Sequence, residues 1–492
     1  MEKPSYSRRD FMKSTAAQAA SAGAVVGVIA SGAVNAAAAK ATAANSALRV
    51  AFWGTGARGQ NHIDAVLKLK SQGRNLEAVA VCDVFAKHRE NAAQRIQKQG
   101  GQPLVTGDYR ELLDRHDIDV VVVSTPDHWH ARMTLDALAA GKHVYCEKPM
   151  THTLEESQQV LAAWRKSGRV MQVGCQRTSD GRWQAAHEYL CAGHLGKVVQ
   201  AQTEYFRNSG IGQWRYIGLS RDMTPSHIDW PMFLGTEYGL SPDVPFDRAL
   251  FAQWRCYWPF SSGIYSELFV HRLTELLLAT GLRYPKRVTS GGGIFLEYDG
   301  RDVPDTATLI ADYAEGCQLV VSSTLCNDYP FDVCLRGHYG TLRFDLSKDG
   351  FDFLPQRPQV TRMRDLRPEH ISVPKPQDET LAHWENFLQA IHSNQPSLCH
   401  NTPELGAAAV VTTALGAASY RQGVVWEWDS ATQRAMPSNP AYAQGWEALS
   451  QSQSLPSHPA GWQPSVTHRS QQRPPDYQKL AGPWQSEIDP AS

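Results

Sequence analysis

Lys148 is the side chain of this sequence that is best placed to take part in chemistry. It belongs to the run Glu147-Lys148-Pro149, which comes directly after an apolar stretch, residues 143–146, that predicts a short β-strand. In an open α/β sheet, ligands bind in the crevice at the carboxyl ends of the strands. A lysine at that edge is therefore a candidate for chemistry.

A carboxylate and an imidazole, Glu267 and His271, form the second candidate for chemistry. They are four positions apart in a stretch, residues 263–280, that predicts a helix, so they share one helix face. A carboxylate and an imidazole on one face could form a general acid/base pair. A surface pair of polar side chains is the plainer interpretation, and only the candidate at Lys148 favours the catalytic one.

A glycine-rich loop follows the first predicted strand, residues 48–53, and precedes a helix predicted over residues 60–70. Its glycines have the spacing G-x-G-x-x-G, which permits a tight turn, close approach of the backbone to a pyrophosphate and close packing of helix on strand. The positive end of the helix dipole would face the phosphates. The pattern predicts dinucleotide binding, with a glycine turn of another α/β unit as the alternative. The loop residues predicted to bind the cofactor are Gly54, Thr55, Gly56, Ala57, Arg58 and Gly59.

Asp83 closes the second predicted strand, residues 76–81, where an acidic residue would hydrogen-bond the ribose hydroxyls of NAD. The basic residues Lys87, His88 and Arg89 follow soon after. They could instead bind the 2′-phosphate of NADP, or form a solvated helix face. NAD is therefore the favoured cofactor and NADP the alternative.

Residues 117–149 supply the scaffold for Lys148, because they read as strand, helix, strand. A β-branched run at 119–124 predicts a strand buried on both faces, Thr125-Pro126-Asp127 ends it, and apolar residues at helical spacing occupy 130–140. Similar units precede and follow it, and such alternation predicts a parallel, doubly wound sheet. We therefore expect an α/β fold with a dinucleotide-binding Rossmann domain over residues 47–174.

Residues 175–429 predict a second, α+β domain. Short alternating runs joined by Gly/Asp turns are typical of an antiparallel meander. These runs occupy residues 198–206, 286–298, 306–313, 317–325, 331–336 and 341–346.

An aromatic-rich insertion at 208–260 predicts a lid or pocket wall, with structural packing as the alternative. Two helices, 379–392 and 403–421, close the domain, and the last can pack back on the first domain. Candidate substrate-wall residues are His130, Arg177, Trp183, Arg207 and Trp214.

The two ends of the chain predict different properties. Ser7-Arg8-Arg9-Asp10-Phe11-Met12-Lys13 precedes a weakly apolar Ala/Gly/Val segment and a run of small residues, which predicts a twin-arginine (Tat) export signal over residues 1–40. An uncleaved anchor or a plain tail is the alternative. We therefore expect a periplasmic or otherwise exported protein that engages the Tat machinery. Residues 430–492, rich in Pro, Ser and Gln, predict an extended tail.

Composition narrows the function classes. With 492 residues the chain can form two or three domains, and 42% hydrophobic and 20% charged residues are typical of a globular protein. A formal net charge of −1 lacks the basic footprint of a nucleic-acid-binding protein. Nine scattered cysteines without a C-x-x-C argue against a disulfide framework or a metal knuckle, so no metal site is expected.

Over residues 48–429 these features resemble the Gfo/Idh/MocA oxidoreductases, a family named for glucose–fructose oxidoreductase and inositol dehydrogenase. The resemblance implies a Rossmann domain followed by a large, mostly antiparallel open sheet. We also expect a homo-oligomer. The resemblance also implies that the family's lysine and Asp-x-x-x-His act on the substrate hydroxyl, which places Lys148, Glu267 and His271 in those roles. In these roles His271 would act as the base and Lys148 would polarise the hydroxyl or share its proton. Glu267, one methylene longer than the usual aspartate, would orient one of these two groups. Further cofactor-binding residues that the resemblance implies are Ser124, Thr125, Pro126, His130, Glu147 and Lys148.

The implied activity is NAD(P)-dependent hydride transfer on a sugar or cyclitol hydroxyl. Because an exported protein has no free NAD pool, we expect a tightly bound cofactor that is regenerated in each cycle. Two routes achieve this: paired oxidation and reduction of two sugars, or glycoside cleavage by transient oxidation and elimination, as in the NAD-dependent α-N-acetylgalactosaminidases of the same superfamily. A sugar-binding protein with a relic Rossmann fold is the non-catalytic alternative.

Overall fold

A six-stranded parallel sheet forms the first layer of the fold in the computed structural model, which describes residues 47–356 and 364–438. Its strands are β1 (Leu48–Trp53), β2 (Leu76–Cys82), β3 (Leu104–Thr106), β4 (Val120–Val123), β5 (His143–Glu147) and β6 (Met171–Gly174). They are ordered β3-β2-β1-β4-β5-β6, and every neighbouring pair is parallel. All four valines of β4 are fully buried because helices cover both faces of the sheet. The predicted doubly wound sheet is confirmed.

Four helices connect these strands: α1 (Ala57–Ser71), α2 (Ala86–Gln97), α3 (Asp127–Ala139) and α4 (Leu154–Ser167). Helix α3 begins three residues before the predicted start at His130. Pro126 occupies the N-cap position, and its fixed φ suits the entry into a helix. Asp127, predicted to be part of a strand-ending turn, is therefore the first helical residue, where its carboxyl lies close to the edge of the sheet.

The second layer is a ten-stranded sheet with a separate two-stranded ribbon. In chain order the strands are β7 (Val198–Glu204), β8 (Arg207–Asn208), β9 (Arg287–Gly293), β10 (Thr306–Tyr313), β11 (Cys317–Thr324), β12 (Cys326–Asn327), β13 (Val333–Gly337), β14 (Gly340–Phe344), β15 (Phe351–Pro355), β16 (Glu369–Ile371), β17 (Trp426–Asp429) and β18 (Arg434–Pro437). The large sheet has the order β16-β15-β14-β13-β7-β11-β10-β9-β17-β18, and β8 pairs with β12. Only β7 and β11 are parallel neighbours, so the prediction of a mostly antiparallel sheet is confirmed.

Six helices accompany this sheet: α5 (Gly181–Cys191), α6 (Trp230–Leu234), α7 (Arg248–Ala252), α8 (Val270–Thr280), α9 (Glu379–Ser393) and α10 (Pro403–Gln422). Helix α10 lies between the two sheets. Its Ala407 and Val410 join the apolar cluster of the parallel sheet, whereas Leu405 and Val411 join that of the large sheet. Helix α9 packs on the parallel sheet through Trp384 and neighbouring apolar residues.

Two segments differ from the sequence-based expectation. Strand β9 ends at Gly293 rather than at residue 298, because the Asp305 carboxylate accepts the backbone N–H groups of Phe295, Leu296 and Glu297 in place of a neighbouring strand. At the carboxyl end, β18 pairs with β17 where an extended tail was predicted. The remainder of that tail, residues 439–492, and the twin-arginine motif lie outside the described residues.

Three further features concern the described part of the chain. All nine cysteines lie within it, and all are free thiols. No helix there is long and apolar enough to cross a membrane. The same residues contain no cluster of three or more His, Cys, Asp or Glu side chains that could hold a metal ion.

Candidate active site

The glycine-rich loop between β1 and α1 has the geometry that a dinucleotide requires. Gly54 has a φ of +83°, and a Cβ there would lie 2.7 Å from the Ser124 backbone. A Cβ at Gly59 would lie 2.1 Å from the Gly54 carbonyl oxygen. At Gly56, by contrast, the nearest atom is 3.5 Å away on the His88 ring. Gly54 and Gly59 are thus needed by the turn itself, and Gly56 leaves the loop backbone open to a pyrophosphate.

Asp83 braces this loop from the end of β2. Its Oδ2 accepts the Thr55 backbone N–H at 2.7 Å, its Oδ1 accepts the Phe85 N–H at 2.9 Å, and His88 Nδ1 lies 3.4 Å from Oδ2. Burial opposes ionisation, but His88 and the backbone donors outweigh it and hold the pKa of Asp83 below its usual value. Because a carboxylate can accept about four hydrogen bonds, the predicted ribose contact is compatible with this geometry.

The three basic residues after Asp83 have partners within the protein. Lys87 pairs with Asp222, Arg89 donates to the Asp83 carbonyl oxygen at 3.0 Å, and His88 lies against the Asp83 carboxylate. A buried carboxylate at this position would also repel a 2′-phosphate. The local charges therefore favour NAD over NADP.

The remaining predicted cofactor residues lie around the same sheet edge. Ala57 is exposed as the first residue of α1, and the Ser124 hydroxyl donates to the Gly54 carbonyl oxygen at 2.7 Å. His130 is buried, with Nε2 2.8 Å from the Thr125 carbonyl oxygen and Nδ1 2.6 Å from that of Pro149. Since both of its ring nitrogens contact the backbone, His130 fastens the loop after β4 to the loop after β5.

Glu147 is buried and held from two sides. Its Oε1 accepts from Arg58 Nε at 2.7 Å and from His62 Nε2 at 2.8 Å. Trp384 Nε1 lies 3.1 Å from His62 Nδ1 and can only donate, so Nδ1 accepts and the His62 proton is on Nε2. Burial opposes ionisation, but Arg58 and His62 hold the pKa of Glu147 well below its usual range. Glu147 thus enters the site as a fixed negative charge directly before Lys148.

Lys148 and Glu267 form the centre of the site. Lys148 Nζ lies 2.6 Å from Glu267 Oε2, and Arg255 Nε lies 2.6 Å from the same oxygen. Burial opposes ionisation of Glu267, but these two cations lower its pKa. The helix predicted from Gly263 onwards begins with a π-helical turn, Tyr265–Phe269, before α8. This wide turn changes the simple four-residue spacing of Glu267 and His271, and the contact that the structure shows for Glu267 is with Lys148 instead.

Asp127, which the sequence did not identify as a site residue, joins this cluster. Among the described residues, neither of its carboxyl oxygens has a hydrogen-bond donor, and the same holds for Glu267 Oε1. The two carboxyls face each other, so they can hydrogen-bond only if one carries a proton. Burial and the charge of Glu267 raise the pKa of Asp127 well above its usual range, which places that proton on Asp127.

His271 lines the same cleft as Lys148, with the ring of Tyr205 edge-on at a centroid distance of 5.8 Å. Burial, followed by the positive charge of Lys148, holds the pKa of His271 well below its usual range. The imidazole is therefore neutral at physiological pH, the form in which it can accept a proton.

A cleft of about 280 Å³ connects these groups at the carboxyl edge of the parallel sheet. Residues that follow β4, β5 and β6 contribute to it, as expected for an open α/β sheet. Its lining comprises Arg58, Ser124, Thr125, Asp127, His130, Glu147, Lys148, Gln176, Arg177, Tyr205, Arg207, Trp254, Arg255, His271 and Glu379. Two of the candidate wall residues do not line it. Trp183 and Trp214 are buried in the core of the large sheet, so their prediction as wall residues is wrong.

The aromatic insertion, residues 208–260, forms one wall of the cleft through Trp254 and Arg255. It is docked on α3, where the ring nitrogens of His128 and Trp129 lie 2.8 and 2.9 Å from the Phe233 carbonyl oxygen. Arg255 was missed because its partner, Glu267, cannot be recognised from local sequence. The only signal was its place among closely spaced tryptophans and tyrosines.

Comparisons with known proteins find matches to the Rossmann part of the chain. Residues 48–175 match the family model GFO_IDH_MocA, described as an oxidoreductase family with an NAD-binding Rossmann fold. An alpha-N-acetylgalactosaminidase of Shewanella oneidensis is 36% identical over 184 residues, 34% of this chain and 39% of that protein. The 4-carboxy-2-hydroxymuconate-6-semialdehyde dehydrogenase of Sphingobium is 30% identical over 165 residues, 33% of this chain and 50% of that protein. The chain thus matches half or less of the length of these two relatives.

A solved structure shows the fold over a longer range. The WlbA dehydrogenase of Bordetella pertussis, in complex with NADH and UDP-GlcNAcA, aligns with a TM-score of 0.56 at 17% identity. The alignment covers 78% of this chain and 99% of that one. Together with the glycine loop and the family match, this confirms the predicted fold class and the predicted NAD cofactor. Residues 48–175 thus match the NAD-binding Rossmann domain of the GFO_IDH_MocA oxidoreductase family model.

Proposed function

We propose that the protein is an NAD(P)-dependent oxidoreductase that acts on a sugar or cyclitol hydroxyl by hydride transfer. The observation that carries this proposal is the buried contact of 2.6 Å between Lys148 Nζ and Glu267 Oε2, in one cleft with the neutral imidazole of His271. Oxidation of an alcohol needs a base for the hydroxyl proton and a donor that stabilises the oxygen. This cleft contains both groups beside the dinucleotide loop.

Each group has a distinct role in the proposed reaction. NAD, when bound, supplies the acceptor for the hydride. The loop from Gly54 to Gly59 and the start of α1 would hold its pyrophosphate, and Asp83 its ribose. His271 accepts the hydroxyl proton, Lys148 donates a hydrogen bond to the substrate oxygen, and Glu267 holds the Lys148 ammonium in position. Asp127 keeps the remaining oxygen of Glu267 occupied, so that Glu267 Oε2 stays with its two cations.

We also propose that the cofactor is retained and recycled, that the protein is exported by the Tat pathway, and that it is a homo-oligomer. The twin-arginine motif supports export, and export supports retention, because a periplasmic enzyme cannot draw on cytoplasmic NAD. Purified protein should then release nicotinamide dinucleotide on denaturation, detectable by absorbance and enzymatic cycling. The oligomeric state is measured on the same sample by light scattering.

The decisive experiment compares Lys148→Ala and His271→Ala with the wild-type protein. Absorbance at 340 nm reports hydride transfer to NAD from a panel of sugars and cyclitols, and NAD binding is measured separately by calorimetry. We expect both variants to bind NAD and to lose turnover by about 10²–10⁴-fold. Full turnover in both variants would show that these residues are not the catalytic ones. If the wild-type protein neither releases NAD on denaturation nor binds added NAD, a sugar-binding protein with a relic fold is the better description.

Glycoside cleavage by transient oxidation, elimination, hydration and re-reduction is the second candidate. Similarity to the Shewanella alpha-N-acetylgalactosaminidase supports it, although the match spans only 39% of that protein. This route leaves no net change in the cofactor, which suits an exported protein. Nitrophenyl glycosides separate the candidates: release of nitrophenol without added NAD indicates the glycosidase, whereas reduction of NAD by free sugars indicates the dehydrogenase.

A further inference from the structure

Arg207 differs from the other cations of the cleft in having no carboxylate partner. Arg58 pairs with Glu147, Lys148 and Arg255 pair with Glu267, and Arg177 lies between Glu275 and Glu379. Within residues 47–356 and 364–438, Arg207 takes part in no ion pair. Asp127, the remaining acidic residue of the lining, is in no ion pair among the described residues, and burial and the charge of Glu267 raise its pKa well above the usual range. Among the described residues, Arg207 therefore has no carboxylate oxygen within ion-pair distance of its guanidinium.

The guanidinium of Arg207 is nevertheless held in a fixed place. Arg207 belongs to β8, which pairs with β12. Its Nη2 donates to the Tyr205 hydroxyl at 2.8 Å, and its central carbon lies 4.7 Å above the Tyr205 ring. Its Nε is buried without an acceptor among the described residues. A positioned guanidinium with unused donors matches the geometry of a carboxylate or a phosphate.

Tyr205 links this cation to the proposed base. Its ring contacts Arg207 on its face and the His271 imidazole at its edge. Because the phenol oxygen accepts from Arg207, its own proton is available to an anionic ligand. One sugar ring could therefore present a hydroxyl to His271 and an acidic substituent to Arg207.

We infer that the substrate of this cleft is a sugar that carries an acidic group, a carboxylate or a phosphate, which Arg207 binds together with the Tyr205 hydroxyl. The inference rests on the proposed function for the identity of the ligand as a sugar. It goes beyond that function because it predicts a preference that hydride transfer alone does not require. A neutral sugar, whose hydroxyls would accept from the same donors, is the competing occupant.

Binding measurements separate the two occupants. The full-length protein, saturated with NADH, is titrated by calorimetry with D-glucuronate, D-glucose 6-phosphate and D-glucose. We expect at least one acidic sugar to bind about tenfold or more tightly than glucose. The acid that shows the preference identifies the substituent as carboxylate or phosphate. In Arg207→Gln the preference should disappear, and in Tyr205→Phe it should decrease.

Arg343→Gln is the matched control, because Arg343 lies on β14 and pairs with Asp352 outside the cleft. This variant should keep the preference of the wild-type protein. Equal affinities for the three sugars, no binding of either acid, or an unchanged preference in Arg207→Gln would each overturn the inference. An intact preference without reduction of NAD by any sugar would instead refute the proposed hydride transfer while leaving the acidic-group site in place.

Discussion

Lys148 Nζ and Glu267 Oε2 are 2.6 Å apart, although 119 positions separate them in the chain. Lys148 follows the end of β5 in the parallel sheet, and Glu267 lies in the π-helical turn before α8. The ion pair is buried, with side-chain exposures of 12% and 3%. The candidate active site is therefore assembled from residues of both layers, and neither layer contains it alone.

Glu267→Gln should test the contribution of this charge. The variant leaves Lys148 and Arg255 beside each other without a carboxylate, so Lys148 loses its fixed position. We expect turnover to fall by about 10²–10⁴-fold, and the free energy of unfolding to fall by about 3–5 kcal/mol because a buried ion pair has lost one member. NAD affinity should stay unchanged, since the glycine loop does not contact Glu267. Stopped-flow absorbance, chemical denaturation and calorimetry measure the three quantities.

Two further variants serve as controls for Glu267→Gln. Glu267→Asp keeps the charge and should recover part of the turnover. Glu379→Gln removes a half-exposed carboxylate that lines the same cleft and lies 3.5 Å from Arg177, and its turnover should change by less than about tenfold because exposed ion pairs contribute little. Equal losses in Glu267→Gln and Glu379→Gln would contradict the special role of Glu267.

His271 should act as a base at a lower pH than an ordinary histidine. Burial and Lys148 hold its pKa well below the usual value, so the imidazole stays neutral as the pH falls through about 6.5. The acid limb of kcat/KM should therefore lie below that pH. In Arg177→Gln, which removes a further nearby positive charge, the limb should move toward higher pH. An acid limb at about 6.5 in the wild-type protein would show that the base is an unperturbed group.

Local rules were sufficient for part of this site. The turn at Gly54 and the close packing at Gly59 are steric requirements of a few neighbouring residues, so the loop could be predicted from its spacing. Lys148 could be placed at the sheet edge because a buried strand, followed by a proline, predicts where the strand ends. Both predictions depend on residues close in sequence.

The other contacts depend on how distant segments pack. Glu267 was expected to orient either Lys148 or His271, and the structure places its carboxylate, in a π-helical turn, beside Lys148 and Arg255. Asp127 was interpreted as part of a turn, and its carboxyl matters only because Glu267 faces it. These contacts join segments that are distant in the chain, so no periodicity or spacing in the sequence predicts them. Trp183 and Trp214 were predicted to line the substrate cleft but are core residues. An aromatic residue that is close in sequence to cleft-lining residues can still point into the core.

Asp127→Asn should gain stability relative to the wild-type protein as the pH rises. The pKa of Asp127 is raised in the folded state, so its stabilising contribution is present below the unfolded pKa of about 3.9 and is lost as the pH rises toward the folded pKa. Asparagine mimics the protonated carboxyl and can donate to Glu267 Oε1 at every pH. Above about pH 4, the difference in unfolding free energy should therefore grow in favour of the variant, by up to about 1.4 kcal/mol per pH unit.

Asp119→Asn is a control for which the stability difference from the wild-type protein should have the opposite sign. Burial opposes ionisation of Asp119, but its hydrogen bonds with Arg49 lower its pKa. Its contribution is therefore present at neutral pH and is lost as the pH falls through the lowered pKa, so the variant should be less stable than the wild-type protein at pH 7 and approach it in acid. Urea denaturation at several pH values measures both variants. A pH-independent effect of Asp127→Asn would mean that Asp127 does not hold a proton in the folded state.

Trp384→Phe should reveal how α9 supports the Glu147 charge. Trp384 Nε1 donates to His62 Nδ1 and thereby keeps the His62 proton on Nε2, which donates to Glu147. Phenylalanine preserves an aromatic ring against Tyr145, whose centroid is 5.0 Å away, but leaves His62 Nδ1 buried without a donor.

Trp428→Phe is the matched control. Trp428 is also buried and stacks on Tyr284, and its Nε1 has no acceptor among the described residues. Because both variants lose the same ring volume, Trp384→Phe should lower the free energy of unfolding by about 1–3 kcal/mol more than Trp428→Phe. Equal losses in urea denaturation would show that the hydrogen bond to His62 does not contribute to stability.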